Sequence, residues 1–222
     1  IKGDSTKKIF SSFNLILTTD NKQSKNFNAL GASNIKNIGS LKVAFPPIKA
    51  NPDIVNKLKN ASKSRKIILA ASTHEGEESI MIESVNLLKK MGLNCLLILA
   101  PRHIKRGVSI NITNKLNAKL RSKNEFPTQY DSVWIADSFG EMPSLFEAAD
   151  IVFIAGSLFP LGGHNPSEPS HYRSKIIIGP YVSKCSEIVS EMISKKAIIQ
   201  VPKCKNYPKE ISKIFLNLIK DT

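Results

Sequence analysis

Ile151-Val152-Phe153-Ile154-Ala155-Gly156-Ser157-Leu158-Phe159-Pro160-Leu161-Gly162-Gly163-His164-Asn165-Pro166-Ser167-Glu168-Pro169 decides how the rest of the chain is read. Four apolar residues form a buried strand, and the chain then breaks into a loop and is expected to start a helix. Gly156, Gly162 and Gly163 can take backbone angles closed to other residues and let a ligand approach the main chain. Asn165 before Pro166 has the form of a helix cap with proline at the first helical position. On that first turn Asn165 and Glu168 share a face and can grip one ligand, the carboxylate being suited to a ribose diol. A capping box, with Asn165 reaching forward and Glu168 reaching back, explains the same pair but leaves the glycines unexplained.

Outward from this stretch, short and nearly continuous apolar runs recur at Ile67 to Ala71, Cys95 to Ala100, Val133 to Ala136, Ile176 to Ile178 and Ile198 to Val201. Such runs mark strands buried on both faces. Helical patterns over Glu77 to Met91, Arg106 to Leu120, Glu141 to Ala149, Cys185 to Ile193 and Lys209 to Lys220 alternate with them. The alternation predicts an α/β fold, a Rossmann-like parallel sheet with helices on both sides, whose ligands bind at the carboxyl ends of the strands. Upstream, Phe13 to Thr18, Asn21 to Leu30 and Ile35 to Ile38 read as strand, helix and strand with no sheet to complete them. The paired prolines Pro46 and Pro47 close a segment suited to a crossing between domains, so residues 1–46 and 47–222 are expected to be separate units.

At 222 residues the chain can bury a core without staples, and Cys95, Cys185 and Cys204 fit neither a disulfide framework nor a metal spacing. No run approaches a membrane span, and the opening on Ile1 suggests a piece of something longer. The formal charge of +14 admits nucleic acid, an anionic membrane surface or a phosphorylated substrate. The lysines are scattered and aromatics make up only 7% of the chain, which argues against a nucleic-acid groove.

The strand-end loops hold the candidate site residues. Ser72, Thr73 and Gly76 open a helix whose amides can hold a phosphate, Gly163 being a further candidate, while Glu75, Glu77 and Glu78 fit the helix dipole and the surface. Pro101-Arg102-His103 puts a guanidinium fork at the functional edge. Phe139-Gly140-Glu141 makes a tight turn whose amides and one carbonyl can read the edge of a base. His164 and His171 lack a third partner at metal spacing, no nucleophile elbow occurs, and no catalytic acid and base pair is seen. What remains is a binding half with no cofactor or metal of its own.

Ala71-Ser72-Thr73-His74-Glu75-Gly76-Glu77-Glu78, Leu97-Ile98-Leu99-Ala100-Pro101-Arg102-His103, Asp137-Ser138-Phe139-Gly140-Glu141-Met142 and the Gly156 to Pro169 stretch occur in this order. Together they resemble the C-terminal half of Kdo transferase, the 3-deoxy-D-manno-octulosonic acid transferase that glycosylates lipid A in Gram-negative bacteria. Leu30-Gly31-Ala32 and Gly39-Ser40-Leu41-Lys42 resemble the segment joining its two domains.

The resemblance implies one half of a glycosyltransferase B fold. Residues 1–46 would be the end of an N-terminal acceptor domain with its linker, and residues 47–222 a donor-binding domain. It further implies a CMP-Kdo donor, a lipid A precursor as acceptor, an anionic membrane surface as partner, and work at the cytoplasmic face of the bacterial inner membrane. Carried over by motif, CMP is held by Pro101 and Arg102, by Phe139, Gly140 and Glu141, and by Asn165, Pro166, Ser167 and Glu168. Arg102 would take the phosphate, the Phe139 turn the cytosine and Glu168 the ribose hydroxyls. The family's base is a glutamate of the N-terminal domain, which this sequence lacks, so the chain alone is expected to bind and not to turn over. Arg173 and Ser174 stand where a glycine-containing turn is usual, and Tyr181 where histidine is frequent. Competing readings are a related enzyme of the same fold using a UDP-sugar, a non-catalytic basic α/β binding module, and a remnant of a split or truncated gene.

Overall fold

A computed structural model describes residues 3–39 and 46–221. Ser40 to Phe45, within the expected crossing segment, lie outside the described residues. The chain divides into two compact units, Ile1–Pro46 and Pro47–Thr222.

In the first unit, helix α1 (Asp4–Ser11) leads to β1 (Ile16–Thr18), α2 (Asn21–Ala29) and β2 (Ile35–Asn37), and the two strands pair in parallel with Ile16 opposite Ile35. Asp20 fixes the start of α2, its Oδ1 accepting from the Gln23 amide at 2.6 Å. The strands are shorter than their apolar pattern because so small a sheet cannot cover them: Phe13, Leu15 and Leu17 remain about half exposed.

The second unit runs α3 (Pro52–Ser62), β3 (Lys66–Thr73), α4 (Glu77–Lys90), β4 (Cys95–Pro101), α5 (Gly107–Thr113), β5 (Lys119–Leu120), β6 (Val133–Ile135), α6 (Met142–Ala148), β7 (Ile151–Ile154), β8 (Lys175–Ile178), α7 (Ser186–Ser194), β9 (Ile198–Gln200) and α8 (Tyr207–Lys220). All pairings in its sheet are parallel, in the order β5-β6-β4-β3-β7-β8-β9. Side chains alternate across it. Ile67, Leu69 and Ala71 of β3 pack under α3, α6 and α7 with Leu58, Phe146 and Val189, whereas Ile68 and Ala70 join Met81, Leu88, Ile110 and Phe215 under α4, α5 and α8. Burial on both faces is why the strands read as unbroken apolar runs.

Three local departures from the sequence pattern have physical causes. Helix α3 was not anticipated, although Asn51 caps it, accepting from Asp53 N at 3.0 Å, and Ile54, Val55, Leu58 and Ala61 form its buried stripe. The helix expected over 106–120 stops at Thr113: Asn114 turns its side chain back to the Ile110 carbonyl, Lys115 takes a φ of 50°, and the chain leaves as β5. The helix expected from Asn165 does not form. Only a 3-10 turn, Pro169–His171, follows, because Pro169 has no amide to offer the carbonyl four residues back and Tyr172 is extended.

Candidate functional site at the carboxyl edge of the sheet

Leaving aside the edge strand β5, chain order runs outward from β3 through β4 and β6 on one side and through β7, β8 and β9 on the other. The reversal lies between β3 and β7, and the crevice above their carboxyl ends is where such sheets hold ligands. Two loops meet there, His74 to Gly76 and the glycine-rich stretch after Ile154.

Glu77, the first residue of α4, joins them. Its carboxylate accepts from the amides of His74 (3.0 Å), Gly156 (2.7 Å), Ser157 (3.0 Å) and Leu158 (3.1 Å), and the side chain is fully buried. Four charge-assisted bonds and the N-terminus of α4 offset the desolvation of that charge. The loop is closed further by Gly163 N donating to Gly156 O at 2.8 Å, and by Ser157 Oγ, which accepts from Gly179 N. The surface role expected for Glu77 and Glu78 is therefore corrected. Both are buried, and Glu78 pairs with Arg106 at 2.8 Å. Only Glu75 of that trio is exposed.

This closure bears on the residues expected to touch phosphate. Thr73 is fully buried with no partner for its Oγ1 among the described residues, and Ser72 is half-buried at a φ of 60°. A side chain on Gly76 would press on the Phe159 ring at 3.1 Å, and the amide of Gly163 is taken. Of the glycine-rich loop's amides, those of Gly156, Ser157 and Leu158 already serve Glu77, and that of Gly163 serves the Gly156 carbonyl.

Three of the four histidines gather beside this crevice. The rings of His74 and His164 lie nearly parallel, 11° apart, with Nε2 to Nε2 at 2.9 Å, and His103 meets His74 edge-on. Gly156 lies beneath the pair, where a Cβ would come within 2.8 Å of His164. Burial holds His74 below the usual histidine range. Burial, then the His74, Arg102 and Lys184 charges, lower His164 to about 4. Sequence reading had passed over His74, whose partner lies 90 residues away.

Along the β4 and β6 side the edge is open. Pro101 is buried at the end of β4, and Arg102 next to it is exposed, its guanidinium unpaired among the described residues. After β6, buried Asp137 accepts from the amide and hydroxyl of Ser122 at 2.8 and 2.7 Å. That loop passes so close to α5 that any side chain at Gly107 would collide with Asp137. Phe139 is 92% exposed, Gly140 has a φ of 80° with open space around it, and no described hydrogen bond uses either amide. Glu141 is not free to grip a ligand with its side chain. Its carboxylate is clasped by the Arg121 guanidinium at 2.9 to 3.1 Å and by the Ser138 hydroxyl.

In the loop beyond β7, Asn165 Oδ1 accepts from Ser167 N at 2.9 Å, two residues on, while no described bond carries Glu168 back to Asn165. Asn165 and Glu168 are exposed, and Pro166 and Ser167 are buried. No hydrogen bond or ion pair among the described residues links Asn165 to Glu168 with the Phe139 turn. At the opposite edge, a cavity of about 310 Å³ is lined by Lys66, Asp150, Arg173 and Lys175 together with the last turns of α6 and α8. Lys175 donates there to the Leu218 carbonyl, so this basic character answers helix C-termini.

Comparison with known proteins fits the ordered motifs. No family model matches the chain. It is 38% identical over 196 residues to the 3-deoxy-D-manno-octulosonic acid transferase of Rickettsia bellii (strain RML369-C), covering 87% of this chain and 47% of that protein. The corresponding transferase of Haemophilus influenzae is 32% identical over 202 residues, again 87% of this chain and 47% of the relative. The chain resembles the C-terminal half of Kdo transferase. It spans about half the length of these curated relatives. Its fold matches the crystal structure of the C-terminal CMP-Kdo binding domain of WaaA from Acinetobacter baumannii, with a TM-score of 0.66 and 24% identity over 77% of this chain and 91% of that one.

Proposed function

We propose that this chain is the donor-binding part of a Kdo transferase, holding CMP-Kdo while Kdo passes to a lipid A precursor. The observation that carries the reading is the pairing of an unpartnered, exposed Arg102 with the open Phe139 and Gly140 turn on neighbouring strand ends of a parallel sheet. Arg102 takes the phosphate through its planar fork, and the free amides at Phe139 and Gly140 read the cytosine edge. Glu141 contributes by holding that turn through Arg121. Glu168, exposed beyond Asn165, takes the ribose hydroxyls.

The base that deprotonates the acceptor hydroxyl comes from outside residues 47–222, and residues 1–46 are the end of the acceptor domain with its linker. This chain supplies the cationic and amide groups that stabilise departing CMP. Work at the cytoplasmic face of the inner membrane suits the net charge of +14, since anionic lipids attract nearby lysines by about 1 kcal/mol each. No helix among the described residues is long and apolar enough to cross a membrane.

Calorimetry of the chain with CMP, with UMP as competitor, tests the reading. CMP should bind and outcompete UMP, and Glu168→Ala should weaken it. No heat at millimolar CMP, or equal binding of UMP, counts against it.

A further inference from the structure

We propose that Lys184 receives the carboxylate of the donor sugar and so sets a preference for acidic CMP-sugars over neutral ones. The proposal rests on the donor-site reading above and adds a residue to it.

The chemistry of the donor defines what that reading leaves unanswered. An octulosonic acid carries its carboxylate on the anomeric carbon, the carbon that also bears the phosphate, so CMP-Kdo presents two anions side by side. Arg102 answers the phosphate, and the second charge needs a partner of its own. In the crevice, the amides of Gly156, Ser157, Leu158 and Gly163 are engaged. Among nearby cations, Arg106 is paired with Glu78 and Arg121 with Glu141.

Lys184 comes to the same crevice from the loop after β8. It is exposed, its ammonium has no partner among the described residues, and no Asp or Glu occurs between Glu168 and Glu187 to neutralise it. An exposed lysine ordinarily swings freely, but this one is laid down. Its stem crosses Gly162 so closely that a Cβ there would lie 2.7, 2.9 and 3.1 Å from Cγ, Cδ and Cε. The φ of 98° at Gly162 favours glycine, and the missing side chain is what lets the stem lie flat. The Lys184 amide donates to the Gly162 carbonyl at 2.9 Å, and the Cys185 thiol donates to the His164 carbonyl at 3.4 Å. The loops after β7 and β8 are thus latched together, and the ammonium is presented with much of its rotamer freedom already restricted.

Arg102 reaches this place from the other flank. Its amide donates to the Thr73 carbonyl at 3.0 Å, and His74, the residue after Thr73, meets His164 with the Nε2 atoms 2.9 Å apart. After burial and the His74 ring, the charges of Arg102 and Lys184 both bear on His164. Two cations from different loops therefore flank one ring, as two neighbouring anions require.

Calorimetry at about pH 8, where histidine is neutral and lysine charged, tests the proposal with two esters of CMP. The methyl ester offers the phosphodiester alone, and the glycolate ester adds a carboxylate to the ester carbon, as in the donor. The glycolate ester should bind about tenfold more tightly. Lys184→Met keeps a stem over Gly162 and removes the charge. It should bring the two esters within about twofold of each other and leave methyl-ester affinity unaltered, which also shows that the variant's donor site is intact. Lys195→Met takes the same charge from the opposite edge of the sheet and should keep the full preference, separating a local seat from the net charge of +14. Equal affinity of the unaltered chain for the two esters, a preference that survives Lys184→Met, or one lost equally in both variants overturns the proposal and leaves the donor site standing. If neither ester binds, the donor site falls and the proposal with it.

Discussion

The two sides of the sheet's carboxyl edge differ in what their loops do with polar groups. Above β3 and β7 the glycine-rich loop folds onto the molecule's own carboxylate, and three of its amides serve Glu77. Above β4 and β6 the amides of Phe139 and Gly140 and the guanidinium of Arg102 have no hydrogen-bond partner among the described residues. Glycines concentrate on the closed side, so abundance of glycine marks close packing of backbone here more than access for a ligand. The open side is sparser in sequence and richer in unused donors.

The contrast is broken most directly at Glu77. Glu77→Ala leaves three buried amides and one half-buried one bare and should destabilise the protein by about 3 kcal/mol or more, read as a shifted urea midpoint. A loss below about 1 kcal/mol would make the closed side far less dependent on this carboxylate than its geometry implies. Arg102→Ala is the complementary change: CMP affinity should fall by about 2 kcal/mol, roughly 30-fold, with stability unaltered within about 0.5 kcal/mol. Phe139→Ala should cost about 1 kcal/mol of CMP binding if the exposed ring stacks on the base, again without effect on the urea midpoint.

The smallest expected effect lies in the pH dependence. His164 titrates near 4 in the folded chain and near 6.5 when unfolded, so the unfolded state binds more protons between these values. Stability should therefore fall as pH drops from 6.5 to 4, and His164→Gln should flatten that slope. The exposed half of the ring keeps the effect modest.

The parallel sheet was legible because strands covered on both faces have no polar alternation to confuse them, as at Ile67 to Ala71. The placement of Arg102 and Gly140 in loops after strand ends was legible because it follows from the positions of the apolar runs alone. Helix α3 was masked by Lys57, Lys59 and Lys63, although Asn51-Pro52 and the apolar spacing behind it were in plain view. The helix expected at Asn165 failed because two prolines three residues apart start a turn well and continue it badly. Glu77 looked like any acid in a first helical turn. What distinguishes it is a set of partners about 80 residues downstream, which no local pattern encodes.

That distance along the chain has a consequence for assembly. Severing the polypeptide between Arg121 and Val133 would strand the acid in one segment and its receiving backbone in the other. Neither piece could shelter its half of the clasp from water in isolation. Mixed together, the two should recover native structure cooperatively, making this protein a candidate for reconstitution from complementary fragments.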